Sequence, residues 1–83
     1  MYQIVLSRVA EKDLDKVNKK DKPHIFVALF DLRKDPYLGK KLKGKFRDCY
    51  SLRIGTYRII YKIYKTKLNI LIIRIGPRQG VYR

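Results

Sequence analysis

The stretch Tyr50-Ser51-Leu52-Arg53-Ile54-Gly55-Thr56-Tyr57-Arg58-Ile59-Ile60-Tyr61 decides the fold. Apolar and polar residues alternate on both sides of Gly55-Thr56, the pattern of two half-buried strands joined by a two-residue turn with glycine in the first central position, as a type II′ turn prefers. That register sets Ile54 against Tyr57 and Arg53 against Arg58. Tyr50, Leu52 and Ile54 then share an apolar face with Tyr61, Ile59 and Tyr57, while Cys49, Ser51, Arg53, Arg58, Ile60 and Lys62 share the other. Two arginines directly opposite on one sheet face repel each other and cost stability. An ordered surface that carries this cost is suited to hold an anion, and the planar, always-charged guanidinium fits phosphate well.

The elements outward from the hairpin follow from the same periodicities. A third strand over 68–76 is joined to the second, 57–64, by the polar turn Lys65-Thr66-Lys67, and the first of the three is expected to run from 46 to 54. Upstream, Tyr37 to Gly44 reads as a loop. Tyr2-Gln3-Ile4-Val5-Leu6 reads as a strand, with Ser7 capping a helix whose apolar positions are Ala10, Leu14 and Val17. Asp21 before Lys22-Pro23 starts a second helix, which presents Ile25, Leu29 and Leu32, widened by Phe26, Ala28 and Phe30, and stops before Pro36. The order β-α-α-β-β-β predicts an α+β fold: a small twisted sheet, made of an antiparallel C-terminal meander plus the N-terminal strand, with two helices on one face.

The 83 residues are expected to form a single domain, 1–83, with a modest core. Charge is segregated along them. Residues 1–32 carry a net +1 and residues 33–83 a net +13, which together make the +14 of the whole chain. An excess of this size in one half predicts a polyanionic partner: RNA, DNA or an anionic membrane surface. The single cysteine, Cys49, cannot form an internal disulfide, so a reducing compartment is expected. No apolar run approaches the ~20 residues that span a bilayer, and no basic-then-apolar signal pattern opens the chain, so a cytoplasmic location with no membrane partner is expected.

Lys40, Lys41, Lys43 and Lys45 surround Gly44 just before the arginine hairpin and can extend one phosphate-binding surface. Cys49 has no histidine near it in the chain, and His24, the only histidine, falls on the helical side of the sheet, so neither reads as catalytic. Asp35 and Asp48 are the only acids in the basic half. That is too few to hold the ions of a two-metal nuclease, and no Cys/His cluster or Gly-rich nucleotide loop is present, so no metal or cofactor is expected. The chemistry left is phosphoryl transfer on RNA, in which the substrate's own 2′-OH attacks and the protein supplies charge, alignment and a weak acid or base.

Leu42-Lys43-Gly44, Tyr50 through Arg53, Gly55-x-Tyr57-Arg58-Ile59-Ile60-Tyr61, Ile75-Gly76-x-Arg78 and Val81-Tyr82 stand in an order and spacing that resembles the RelE group of the RelE/ParE toxin superfamily, over essentially the full length. The resemblance implies a toxin of a type II toxin–antitoxin pair that enters the ribosomal A site, cuts messenger RNA and is neutralised, in a hetero-oligomer, by a cognate RelB-like antitoxin. It also implies that Arg53, Arg58, Arg78 and Tyr82 carry catalysis, with Lys43 and Lys45 near the RNA backbone. Arg58 and Arg78 would stabilise the phosphorane, Arg53 would position the scissile phosphate, and Tyr82 would orient the nucleotide or transfer a proton. The chain departs from the group's pattern at Ser51, where a lysine usually follows the Cys-Tyr pair. Two other readings stand beside this one: a ParE-like inhibitor of DNA gyrase, and a non-catalytic basic module that binds RNA or ribosomes.

Overall fold

The structure, a computed structural model, describes residues 1–77. Strand β1 (Gln3–Leu6) leads into helix α1 (Arg8–Lys16), and helix α2 (Lys22–Lys34) follows. After it come a two-residue strand β2 (Lys40–Lys41), a 3₁₀ turn (Gly44–Phe46), and strands β3 (Tyr50–Ile54), β4 (Tyr57–Tyr64) and β5 (Asn69–Pro77). The five strands form one mixed sheet in the order β1-β5-β4-β3-β2, with β1 parallel to β5 and every other pair antiparallel. This is the expected α+β architecture with one strand more than the sequence pattern showed.

The β3–β4 hairpin has the predicted register, with Arg53 opposite Arg58 and Ile54 opposite Tyr57. Gly55 has φ +57° and Thr56 does not have positive φ, as a type II′ turn requires. Both helices pack on the face that carries Ile59 and Tyr61. Ala10, Val17, Ile25, Ala28, Leu29 and Leu32 from the helices close a core with Ile59, Tyr61, Ile70, Ile72 and Ile75. Each of the larger of these side chains, buried in full, contributes about 1.5–3 kcal/mol of hydrophobic stabilisation.

Three expectations are corrected. The strand predicted from residue 46 begins at Tyr50. Gly44, at φ +70°, turns the chain into the 3₁₀ segment, and the amides of Arg47 and Cys49 are taken by the carbonyls of Gly44 and Phe46. The segment read as a loop from Tyr37 to Gly44 contains β2, whose two residues pair with Tyr50 and Ser51. A run this short and lysine-rich has no alternation from which a strand could be read. Phe26 and Phe30 do not widen the buried face of α2: they are 52% and 47% exposed. Ile25, Ala28, Leu29 and Leu32 already fill the contact with the sheet, so the two rings fall on the solvent side of the helix.

Ser7 caps α1 as expected, its Oγ accepting from the Ala10 amide at 3.0 Å. Asp21 stands at the N-cap of α2 but makes no side-chain cap bond, and Pro23 fixes the first turn there instead. The turn between β4 and β5 runs one residue past Lys67, to Leu68 at φ +54°.

No helix among the described residues is long and apolar enough to cross a membrane.

Candidate RNA-binding and catalytic site

On the face of the sheet away from the helices, Lys40, Lys41, Leu42, Lys43, Ser51, Arg53 and Arg58 line a cleft of about 480 Å³. Each side chain arrives there for a local reason. Arg53 and Arg58 are cross-strand partners flanking the hairpin turn, and Ser51 lies two residues back along β3 on the same face. Lys40 is opposite Ser51 across the β2–β3 ladder. Arg53 is exposed, whereas Arg58 is half-buried with its Nε withdrawn from solvent. Among the described residues the lining contains no acid. Such a cleft can cradle one phosphate between two guanidiniums while lysines border the nucleic-acid backbone on the β2 side.

The basic face is not open along its whole length, because Ile60, between Arg58 and Lys62, is only 2% exposed. Nor does every predicted residue reach the cleft. Lys62 stands further along β4 with its ammonium 5.4 Å from the Tyr64 ring centroid, and Lys45 lies over Phe46 at 5.6 Å. Arg78 and Tyr82 lie outside the described residues.

Arg47 was not singled out by sequence reasoning. It lines a second, adjoining depression of about 380 Å³ with Lys41, Leu42, Lys43, Gly44 and Asp48. The signal for it was present, since it ends the basic run that starts at Lys40.

Arg74 belongs elsewhere. Its guanidinium is held by Asp13 of α1, Nε to Oδ2 at 2.9 Å and an Nη to Oδ1 at 3.2 Å, and the same Oδ2 accepts the Ile75 amide at 2.9 Å. This clamp answers an irregularity in β5. The register shifts between Ile60 and Tyr61, making Ile73 the extra residue of a bulge, and β1 ends at Leu6, so that edge of β5 loses its ladder partner. Ser7 and Asp13 replace it: the Ser7 amide donates to the Ile72 carbonyl, Ser7 Oγ donates to the Ile73 carbonyl, and Asp13 takes the Ile75 amide.

Tyr61 is fully buried, as expected of a core residue, and stacks on Tyr50 at 5.5 Å. Its hydroxyl donates to the Pro36 carbonyl at 2.7 Å and accepts from the Gly39 amide at 2.9 Å. Burial pushes its pKa up to about 12, opposed by the bond from Gly39. Burial also raises the Cys49 thiol, against the attraction of Lys62, which keeps it protonated and a poor nucleophile. His24 sits in the first turn of α2 beside Ile54, Gly55, Thr56 and Tyr57, on the helical side, away from the arginines. Among the described residues no group of three or more His, Cys, Asp or Glu side chains converges as a metal site.

A small mixed sheet with two helices on one face and a guanidinium-lined cleft on the other defines a class of compact, strongly basic α+β proteins. The family model for the ParE toxin of type II toxin–antitoxin systems (parDE) matches residues 4–82, and the chain belongs to this toxin family. Toxin RelG of Mycobacterium tuberculosis is 31% identical over 88 residues, which cover 99% of this chain and 97% of the relative. Toxin RelE of the same organism is 30% identical, covering 99% and 87%. Among solved structures, the toxin–antitoxin complex RelBE2 from M. tuberculosis aligns with a TM-score of 0.87 at 29% identity, over 93% of this chain and 98% of the other. The isolated Escherichia coli RelE toxin shares the fold, with a TM-score of 0.83 at 24% identity over 99% and 92%.

Proposed function

We propose that this toxin is a ribosome-dependent endoribonuclease, an mRNA interferase that acts in the cytoplasm, cleaves message in the ribosomal A site without a metal ion, and is held inactive by a RelB-like antitoxin. The observation that carries this reading is the Arg53–Arg58 pair, set face to face in a cleft bordered by Lys40, Lys41 and Lys43, with no acid among the described lining residues. The antitoxin follows from the similarity to the M. tuberculosis toxin that was solved as a toxin–antitoxin complex.

In this mechanism the 2′-oxygen attacks the adjacent phosphorus, the P–O5′ bond breaks, and a 2′,3′-cyclic phosphate remains. Arg53 positions the scissile phosphate, and Arg58 with Arg78 stabilises the charge that accumulates on the phosphorane. Tyr82 orients the nucleotide or takes the 2′-hydroxyl proton, a task arginine cannot perform because it stays charged. Lys40, Lys41 and Lys43, with Ser51, contact the RNA backbone at the cleft, and Lys45 and Lys62 extend the basic surface outside it.

Single-turnover cleavage on programmed ribosomes tests the assignment. Arg78→Ala should slow cleavage by about 10²-fold or more with the circular dichroism spectrum and melting near wild type, as for loss of one preorganised charge donor. Tyr82→Phe separates stacking, which survives, from proton transfer, which does not. Full activity in both Arg78→Ala and Tyr82→Ala would show that the site is not used. The match to the ParE family model gives the second reading, inhibition of DNA gyrase, and loss of gyrase supercoiling with no RNA cleavage would select it.

A further inference from the structure

The cleavage reaction proposed above needs a group that gives up a proton. As the 2′-oxygen bonds to phosphorus and the P–O5′ bond breaks, the departing 5′-oxygen must be protonated. Arginine stays protonated and is a weaker acid than lysine, so among the described lining residues the best donors are three lysines, with the hydroxyl of Ser51 a much weaker acid than an ammonium.

Sheet register separates the lysines. Lys40 is directly opposite Ser51, hence on the face that carries Arg53 and Arg58. Lys41 is opposite Tyr50, whose ring stacks on the buried Tyr61 toward the core, and Lys43 lies beyond the end of β2. Lys40 is therefore the one lysine of the three that a ladder holds on the arginine face.

The chain leading to Lys40 is fixed from inside the core. The Tyr61 hydroxyl grips the Pro36 carbonyl and the Gly39 amide, at 2.7 and 2.9 Å. Gly39 has no side chain for a direct reason: a Cβ there would lie 2.6 Å from the Tyr61 hydroxyl and 2.9 Å from the Ser51 carbonyl oxygen. This close approach brings the backbone before Lys40 against Ser51.

We infer that Lys40 is the general acid of the cleft, seated by the Tyr61–Gly39 contact. The inference rests on the ribonuclease reading. In the step, the 2′-oxygen forms its bond to phosphorus and releases its proton to Tyr82 or water, the P–O5′ bond breaks, and the Lys40 ammonium passes a proton to the 5′-oxygen. The resulting neutral amine regains a proton from water.

A message with sulfur in place of the 5′-bridging oxygen at the cut tests the role, because a thiolate leaves without protonation. In single-turnover reactions on programmed ribosomes, Lys40→Ala and Lys40→Arg should each cut the normal message about 10²-fold more slowly or worse, and cut the sulfur-substituted message at near the wild-type rate. Tyr61→Phe should give a smaller loss confined to the normal message. The exchange of Lys40→Ser with Ser51→Lys should recover most of the normal rate, and Lys67→Ala, in the distant β4–β5 turn, should match wild type. Wild-type cleavage by Lys40→Arg, or equal slowing of both messages, would overturn the inference while leaving the ribonuclease reading intact. Failure of the wild-type protein to cut either message would overturn that reading, and the role of Lys40 with it.

Discussion

The two edges of the sheet are built on opposite principles. At the β1–β5 edge, the exposed backbone of the bulged strand is taken up by Ser7 and Asp13, and Arg74 is matched by a carboxylate. At the β2–β3 edge, two lysines form the whole of β2, Arg53 faces Arg58, and the described lining of the cleft holds no acid. What fixes that edge is a neutral hydroxyl reaching out of the core from Tyr61. One acid of the N-terminal half, Asp13, neutralises Arg74 at one edge, and Lys40, Lys41, Lys43, Arg53 and Arg58 of the C-terminal half gather at the other. A basic surface thus stands on a sheet whose opposite edge is sealed.

The largest effect on stability should come from breaking the sealed edge. Asp13→Ala removes the acceptor of both Arg74 bonds and of the Ile75 amide. With Asp13 only 11% exposed, the loss should be about 2 kcal/mol, lowering the melting midpoint by roughly 8–16 °C. A melting curve unchanged within a degree or two would show that the clamp does not hold β5.

At the other edge, Tyr61→Phe should cost about 1–2 kcal/mol, because the Gly39 amide and the Pro36 carbonyl lose a buried partner. The hydroxyl also predicts a pH window. Its pKa is raised in the folded state to about 12 from an ordinary 10, so the folded protein holds this proton more tightly than the unfolded chain. The contribution is therefore complete below pH 10 and is lost as pH rises from 10 through 12. Melting followed across that window should show an extra decline in the wild type that Tyr61→Phe lacks.

Removing one member of the facing arginine pair should have the opposite sign. Arg53→Gln relieves like-charge repulsion and should raise stability by roughly 0.2–1 kcal/mol while weakening RNA binding. With about four phosphates contacted, log affinity for RNA should fall on log salt with a slope near −3, and the variant should lower that slope by about 0.7. A wild-type slope near zero would remove the electrostatic account of the cleft.

The hairpin was legible because each of its determinants is local. Alternation, the Gly55-Thr56 turn and strand length together set the register that opposes Arg53 to Arg58. The helices were legible from their apolar spacing, although the exposure of Phe26 and Phe30 was not, because the sheet accepts only the stripe from Ile25 to Leu32. What escaped the sequence depends on distant partners. β2 exists because Tyr61, more than twenty residues away, holds Gly39, and the Arg74 clamp joins residues sixty-one apart. Both decide the cleft: the first places Lys40 in it, and the second keeps Arg74 out.

A message with a single 2′-deoxy nucleotide at the cut position tests most directly whether the cleft serves 2′-OH attack on ribosome-bound message. On programmed ribosomes the all-ribose message should be cut to a 2′,3′-cyclic phosphate end and the 2′-deoxy message should remain whole. Cleavage of the 2′-deoxy message at a comparable rate would contradict the account.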